Sequence, residues 1–279
     1  MTQNQRAKLN QIVNHGLIID KVQPENYVSG AFTKVPKIVL QPDGQWIKFL
    51  PADEKQNING IETFSCASFG TLNALEILFN RQFKLKENYA DRYLAIASGI
   101  TNRGNSPQTV SETLRKDSGC IDENLLPFSD DIKTFEQYQS PNPLPDNLIN
   151  KGKKWLAKYV FMHEWVFQGG DNKIEKLKEN LQYSPIGISV CAWDEYNGLY
   201  IKPEGYNDNH WVVGVGYKEP EYWLVLDTYP NSDGIFLKKL VWDYDFQMAK
   251  RYYIAEKKTE EKVGFWIRLL NWFRNICLK

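Results

Sequence analysis

ETFSCASFGTLNALEILFN, residues 62–80, places a cysteine where an irregular polar stretch becomes an amphipathic helical pattern. Phe69, Leu72, Leu75, Leu78 and Phe79 recur at helical spacing, so the body of the segment reads as a core helix and only its first turn is free for chemistry. Cys66 stands at that first turn. Unpaired backbone N–H groups and the positive end of the helix dipole favour thiolate over thiol there, which suits a nucleophile. A free cysteine is also among the most buried residue types and often packs as a small hydrophobe, so placement alone does not separate the two roles.

The complement to Cys66 lies in DNHWVVGVGYKEPEYWLVLDTYPN, residues 208–231. A histidine opens an apolar β-branched run, a short polar turn follows, and a second apolar run ends on an acid. If HWVVGVGY and EYWLVLD are antiparallel strands joined at Lys-Glu-Pro, His210 and Asp227 emerge near the same end of the hairpin. Of the three histidines, His15, His163 and His210, only the last stands in such a context. A thiol, an imidazole and a carboxylate in this order are the parts of a nucleophile, its base and the group that orients the base.

The same residues resemble the papain-like cysteine peptidases. Ser65-Cys66-Ala67-Ser68-Phe69 is similar to the family's Ser-Cys pair at a helix start. Asn209-His210, Val215-Gly216-Tyr217, Tyr222-Trp223 and Asp227-Thr228-Tyr229 follow the family's histidine strand and the strand leading to its orienting residue. TVSETLRKDSGCIDENLLPF (109–128) looks like the family's helix, Gly, Glu and Pro-aromatic turn, and NLQYSPIGISVCAW (180–193) looks like the strand before the histidine. The resemblance spans about residues 50–255. It implies an α+β, two-lobe fold with the cysteine on a helical lobe and the histidine on an antiparallel β lobe. It also implies a thiol peptidase acting on peptide or protein substrates through Cys66, His210 and Asp227, with no cofactor.

Three positions depart from the family pattern. Asp227 replaces the usual Asn, and a carboxylate also accepts the imidazole Nδ1–H and stabilises the imidazolium. The family's oxyanion-hole Gln falls about six residues before the cysteine, where this chain has Gly60; Gln56 is preferred for that role, with Asn59 its rival. Cys66, Cys120, Cys191 and Cys277 show no spacing like that of the disulfide-bonded members. With Gln56 and Asn59 both placed to serve as oxyanion donor, a second reading stays open, a non-catalytic or single-substrate papain-like binding or processing protein.

Composition narrows the alternatives. Lys and Arg total 34 and so do Asp and Glu, so no global field recruits nucleic acid or a polyanion. Four scattered cysteines without a Cys-x-x-Cys pair, with three histidines, argue against a zinc site. The opening MTQNQRAKLNQIVNHG has no charged-then-apolar leader, and synthesis in the cytosol without a signal peptide is expected.

The expected organisation is an N-terminal extension (1–30), a catalytic domain (31–258) and an amphipathic C-terminal helix (259–279), the helical lobe covering about 60–140 and the β lobe about 150–258 plus 35–52. KIVLQ (37–41) and QWIKFL (45–50) flank Pro-Asp-Gly and read as a hairpin. Helices are expected at 89–97, from Ser106 as N-cap and Pro107 to Gly119, in PDNLINKGKKWLAKY, and at 171–182 with Asp171 as N-cap. SPNPLPD (140–146) suits a crossing between the lobes, and strands are expected from 186 onward. In 259–279 a narrow polar stripe through Arg268 and Asn271 opposes a wide Trp-rich apolar sector, which suits a membrane interface or a protein contact but not a spanning helix.

Overall fold

Residues 15–21, 35–58 and 60–257 are described by a computed structural model. Two short strands, β1 (Asn57–Ile58) and β2 (Ile61–Glu62), lead into α1 (Cys66–Phe83). The helix is buried on every side from Cys66 to Phe79, including Ser68, Thr71, Asn73 and Glu76. It is therefore a central helix rather than the one-faced helix its spacing suggests, and its polar residues face other elements instead of water.

Shorter helices surround it: α2 (Asp91–Ala97), α3 (Pro107–Thr113), α4 (Phe135–Tyr138) and α5 (Asp146–Lys158). Ser106 caps α3 as expected, its Oγ accepting from the Thr109 N–H at 3.0 Å. A wide turn, Leu114–Ser118, carries that helix to Gly119, whose φ of +59° and closeness to the Gly152 carbonyl both call for glycine.

The chain then enters a sheet of eight strands. They are β3 (Tyr159–Gln168), β4 (Ile186–Val190), β5 (Asp194–Tyr196), β6 (Leu199–Ile201), β7 (His210–Lys218), β8 (Tyr222–Leu226), β9 (Leu237–Val241) and β10 (Met248–Glu256), with α6 (Lys173–Leu181) between β3 and β4. Their order is β3-β10-β4-β7-β8-β9-β6-β5, and α1 packs against β7, β10 and β4. Trp211 of β7 fills that contact. A Cβ added at Gly70 would lie 2.7 Å from its ring, and one at Gly187 would lie 2.6 Å from it, so the two glycines make its room.

Three local expectations are corrected. Residues 37–50 form no hairpin: the Leu40 and Gln41 N–H groups go to the Gln182 carbonyl and the Trp46 N–H goes to Val215, leaving a turn and the short 3-10 helix Ile47–Phe49. The buried Trp46 indole, donating to the Leu181 carbonyl at 2.8 Å, pins this segment to the end of α6. At the other end of α6 the flanking residue is Asn172, in a left-handed conformation and without a side-chain cap, not Asp171. Finally, β3 follows α5 with no break, ahead of the strands expected from 186 onward.

The expected β7–β8 hairpin is present. Its pairs run from Lys218↔Tyr222 to Val213↔Leu226, with an irregularity between Gly214 and Gly216. Among the described residues no helix is long and apolar enough to cross a membrane. The C-terminal helix expected at 259–279 lies outside the described residues.

Candidate active site

His210 opens β7 opposite Val190, and Asp227 directly follows β8. Hairpin geometry brings them together as the register requires, with His210 Nε2 2.6 Å from Asp227 Oδ1 and both side chains fully buried. The ring nitrogen differs from the expected one: Nε2, not Nδ1, meets the carboxylate. A carboxylate only accepts, so Nε2 carries the hydrogen of that bond. Nδ1 is buried and has no hydrogen-bond partner.

Burial pushes the Asp227 carboxyl up, but His210 and Lys238 outweigh it and hold the group down at about 2. Oδ1 also accepts from the Thr228 N–H at 2.7 Å, and Oδ2 lies 2.6 Å from Lys238 Nζ. The acid is therefore ionised and fully partnered. Lys238, on β9, is itself buried and also donates to the Tyr229 carbonyl.

Cys66 is the first residue of α1, is fully buried, and packs with Leu17, Trp165, Trp211 and Met248. Backbone hydrogen bonds from Trp211 and Ala67 reach its thiol. The residue after His210 thus touches the thiol through its backbone. Burial nevertheless pushes the thiol well above its usual range, and the Glu62 and Asp227 carboxylates push it further, against those backbone bonds. In this form the expected low thiol pKa is not realised, because the sulfur is shut away from water among Leu17, Trp165, Trp211 and Met248.

That segment, residues 15–21, forms a strap across the site. The His15 ring meets His210 edge-on at 5.7 Å and Tyr229 at 5.4 Å. Leu17 pairs with Asn105 as a parallel bridge: the Asn105 N–H donates to the Gly16 carbonyl at 2.9 Å and the Ile18 N–H to the Asn105 carbonyl at 3.0 Å. Asp20 Oδ2 accepts from the Gln108 N–H at 3.1 Å. Gly16 has φ of +94° and a Cβ there would fall 2.0 Å from the Phe64 carbonyl oxygen, so the strap fits only with glycine. Burial, and then His210, lowers the His15 ring to about 4, with Asp227 acting the other way.

Gln56 is fully buried beside this group. Its Nε2 donates to the His15 carbonyl at 3.2 Å and to Glu62 Oε1 at 2.9 Å, while its Oε1 accepts from Thr228 Oγ1 at 3.2 Å. The amide is therefore committed on all sides, one donor to a peptide carbonyl of the strap. Its rival Asn59 lies outside the described residues.

Glu62 also accepts from the Phe64 N–H at 2.9 Å and from the Tyr229 hydroxyl, tying β2 to the loop after β8. Glu62, Lys238 and His15 are not singled out from sequence, because each is a lone charged or polar residue outside any motif, and the contacts of His15 and of Glu62 with Tyr229 join segments distant in the chain. Among the described residues no cluster of His, Cys, Asp and Glu is arranged to hold a metal ion.

No family model matches the chain, and no curated protein matches it. Solved structures do. A digestive procathepsin L2 proteinase from Tenebrio molitor larval midgut superposes with a TM-score of 0.58 at 16% identity, over 92% of this chain and 81% of that one. A recombinant stem bromelain precursor gives 0.53 at 15% identity, over 92% and 81%. The bromelain protease from Ananas comosus gives 0.51 at 15%, over 77% of this chain and 98% of that chain. At these identities the likeness is one of fold, and the chain has the α+β papain-like fold of cysteine proteases.

Proposed function

We propose that the chain is a cysteine peptidase whose nucleophile is Cys66, whose base is His210 and whose orienting acid is Asp227. The observation that carries this reading is the His210 ring, which gives one nitrogen to an ionised carboxylate and leaves the other buried without a hydrogen-bond partner, while the next residue, Trp211, packs against Cys66. A structural histidine in such a place has both nitrogens satisfied.

In the described form the strap fills the site, so the reading includes a latent state that hydrolysis must open. With the strap displaced, His210 Nδ1 takes the Cys66 proton and the sulfur attacks a peptide carbonyl. The Cys66 N–H and the Gln56 amide, freed from the His15 carbonyl, hold the oxyanion. His210 then returns its proton to the leaving amine, and water, deprotonated by the same ring, releases the acyl group from sulfur. The Gln56 assignment is supported by its present role, since its amide already donates to a peptide carbonyl beside His210.

Peptide-library cleavage tests the reading, with the Cys66→Ala chain as control. Cleavage that disappears in the control supports it; cleavage that persists sinks the mechanism. Binding without cleavage, even after the strap is released, would favour a papain-like binding protein instead.

A further inference from the structure

We propose that Glu62 is a positioning residue of this site: it fixes the Gln56 amide with an N–H, rather than the carbonyl oxygen, turned toward the place a substrate carbonyl takes. The functional meaning rests on the peptidase reading, while the geometry stands apart from it. Backbone pairing brings the two residues together. β1 and β2 form a tight hairpin in which Asn57 pairs with Glu62 and Ile58 with Ile61, and Gly60, at φ of +77°, lies at its turn. Gln56 directly precedes β1, so its side chain returns beside that of Glu62. The Gln56 backbone is held as well, its N–H donating to the Thr228 carbonyl at 3.2 Å and its carbonyl accepting from Thr63 Oγ1 at 3.0 Å.

A side-chain amide can sit in either of two flips, and its neighbours choose between them. Glu62 Oε1 only accepts, so the Gln56 atom 2.9 Å from it is Nε2. The same oxygen accepts from the Phe64 N–H at 2.9 Å and Oε2 accepts from the Tyr229 hydroxyl, which anchors the carboxylate to the segment before α1 and to the loop after β8. Burial, and then the Glu62 charge, push the Tyr229 hydroxyl well above its usual range and keep it a donor. On the other side Gln56 Oε1 accepts from Thr228 Oγ1 at 3.2 Å. The second hydrogen of Nε2 is left for the site, where the His15 carbonyl takes it at 3.2 Å. With the amide reversed, its oxygen would face two acceptors, the carboxylate and that carbonyl, and the site would lose a donor. Glu62 also has an opposing effect, since burial first and then its charge push the Cys66 thiol up and disfavour the thiolate. Position and charge thus act on the reaction in opposite directions, and substitution separates them.

The test compares Glu62→Ala with Glu62→Gln in the full chain, on a peptide cleaved in a Cys66-dependent way. Glu62→Ala frees the amide and is expected to lower kcat about 10–100-fold with KM within about threefold, since a misdirected donor fails chiefly the transition state. Glu62→Gln keeps an acceptor for Gln56 Nε2 and the Phe64 N–H; kcat is expected to recover to within about threefold, while the pH midpoint of Cys66 alkylation falls. Gln56→Ala is expected to cost about 100-fold or more, and Glu62→Ala added to it costs little further. A carboxylate acting only through its charge would make both Glu62 variants faster, and one serving only stability would lower the unfolding midpoint and spare kcat. A loss that added in full to that of Gln56→Ala would not run through the amide. Each of these outcomes overturns the proposal. NMR of the nitrogen-labelled chain reads the Gln56 side-chain amide without turnover, its signal assigned by loss in Gln56→Ala. The amide protons should shift and exchange faster in Glu62→Ala but not in Glu62→Gln, and an amide unmoved by Glu62→Ala overturns the proposal. If Glu62→Ala does not fold, Glu62→Met, of similar length and without an acceptor oxygen, takes its place. Absence of Cys66-dependent hydrolysis would sink the peptidase reading and leave the amide measurement to decide the positioning.

Discussion

His163 and His210 lie on strands of one sheet, both buried, and each joins a carboxylate through Nε2 with a buried lysine nearby. His163 Nε2 is 2.8 Å from Glu112 Oε1, and Lys250 Nζ is 3.1 Å from its Nδ1. His210 Nε2 is 2.6 Å from Asp227 Oδ1, but Lys238 sits on the far carboxylate oxygen. The ingredients are the same and the order differs. In the first cluster the lysine closes the ring's second nitrogen; in the second it pairs with the acid, and the ring's second nitrogen has no hydrogen-bond partner. One arrangement satisfies both ring nitrogens, and the other is the one that the proposed mechanism uses to move a proton.

The largest effect that separates them is on turnover. Cys66→Ala or His210→Ala is expected to lower peptide hydrolysis by at least about a thousandfold, as loss of a nucleophile or its base does. His163→Ala is expected to leave hydrolysis within about tenfold. That substitution removes one partner of the buried Lys250, which keeps Gln108 Oε1 at 2.6 Å, and empties the space of the ring, so it is expected to cost about 1–3 kcal/mol of stability in urea unfolding. A chain in which His163→Ala abolished hydrolysis without lowering stability would break the comparison.

Next comes pH. Burial, followed by the Lys250 charge, lowers His163 to about 3, with Glu112 acting the other way. The unfolded chain, with its histidine near 6.5, therefore binds more protons between about 3 and 6.5. Stability from this group is present above that window and falls with acidification at up to about 1.4 kcal/mol per pH unit within it. Unfolding curves at stepped pH should show the loss, and His163→Gln should flatten it.

His15 obeys the same sign on a smaller unit. Its ring is lowered to about 4 with the strap in place, so a free strap binds more protons and acid favours displacement. Alkylation of Cys66 by iodoacetamide, corrected for thiolate fraction, should accelerate as pH falls from about 6.5 toward 4 in the unsubstituted chain. His15→Gln should remove that dependence. A smaller effect still concerns packing: Gly70→Ala pushes a methyl against Trp211 and is expected to cost about 1–3 kcal/mol, read by thermal unfolding.

Sequence made the start of α1, the Ser106 cap and the β7–β8 hairpin legible because each is specified by residues a few positions apart. Hairpin register alone carries His210 to Asp227. The segment 37–50 misled because Pro-Asp-Gly makes a turn whatever follows, while the partners of its N–H groups, Gln182 and Val215, are far away. β3 was hidden because YVFMHEWVFQ follows α5 without a Gly or Pro break, and an apolar run of that kind suits helix and strand alike. The choice of Nε2 over Nδ1, the pairing of Lys238 and the reach of His15 across the site depend on ring orientation and tertiary approach, which periodicity does not encode. The polar residues buried on α1 were likewise unreadable until the elements around the helix were placed.

The central claim is that His210 serves Cys66 in a site closed by the strap, and Gly16→Ala opens it, because a Cβ there collides with the Phe64 carbonyl. The most direct measurement treats the Gly16→Ala chain with a papain-directed epoxide, maps the modified cysteine by mass spectrometry and follows hydrolysis in the same sample. The account predicts that Cys66 is labelled ahead of Cys120 and Cys191 and that hydrolysis falls in proportion to the label. Labelling of another cysteine with loss of hydrolysis, or full labelling of Cys66 with hydrolysis intact, would contradict it.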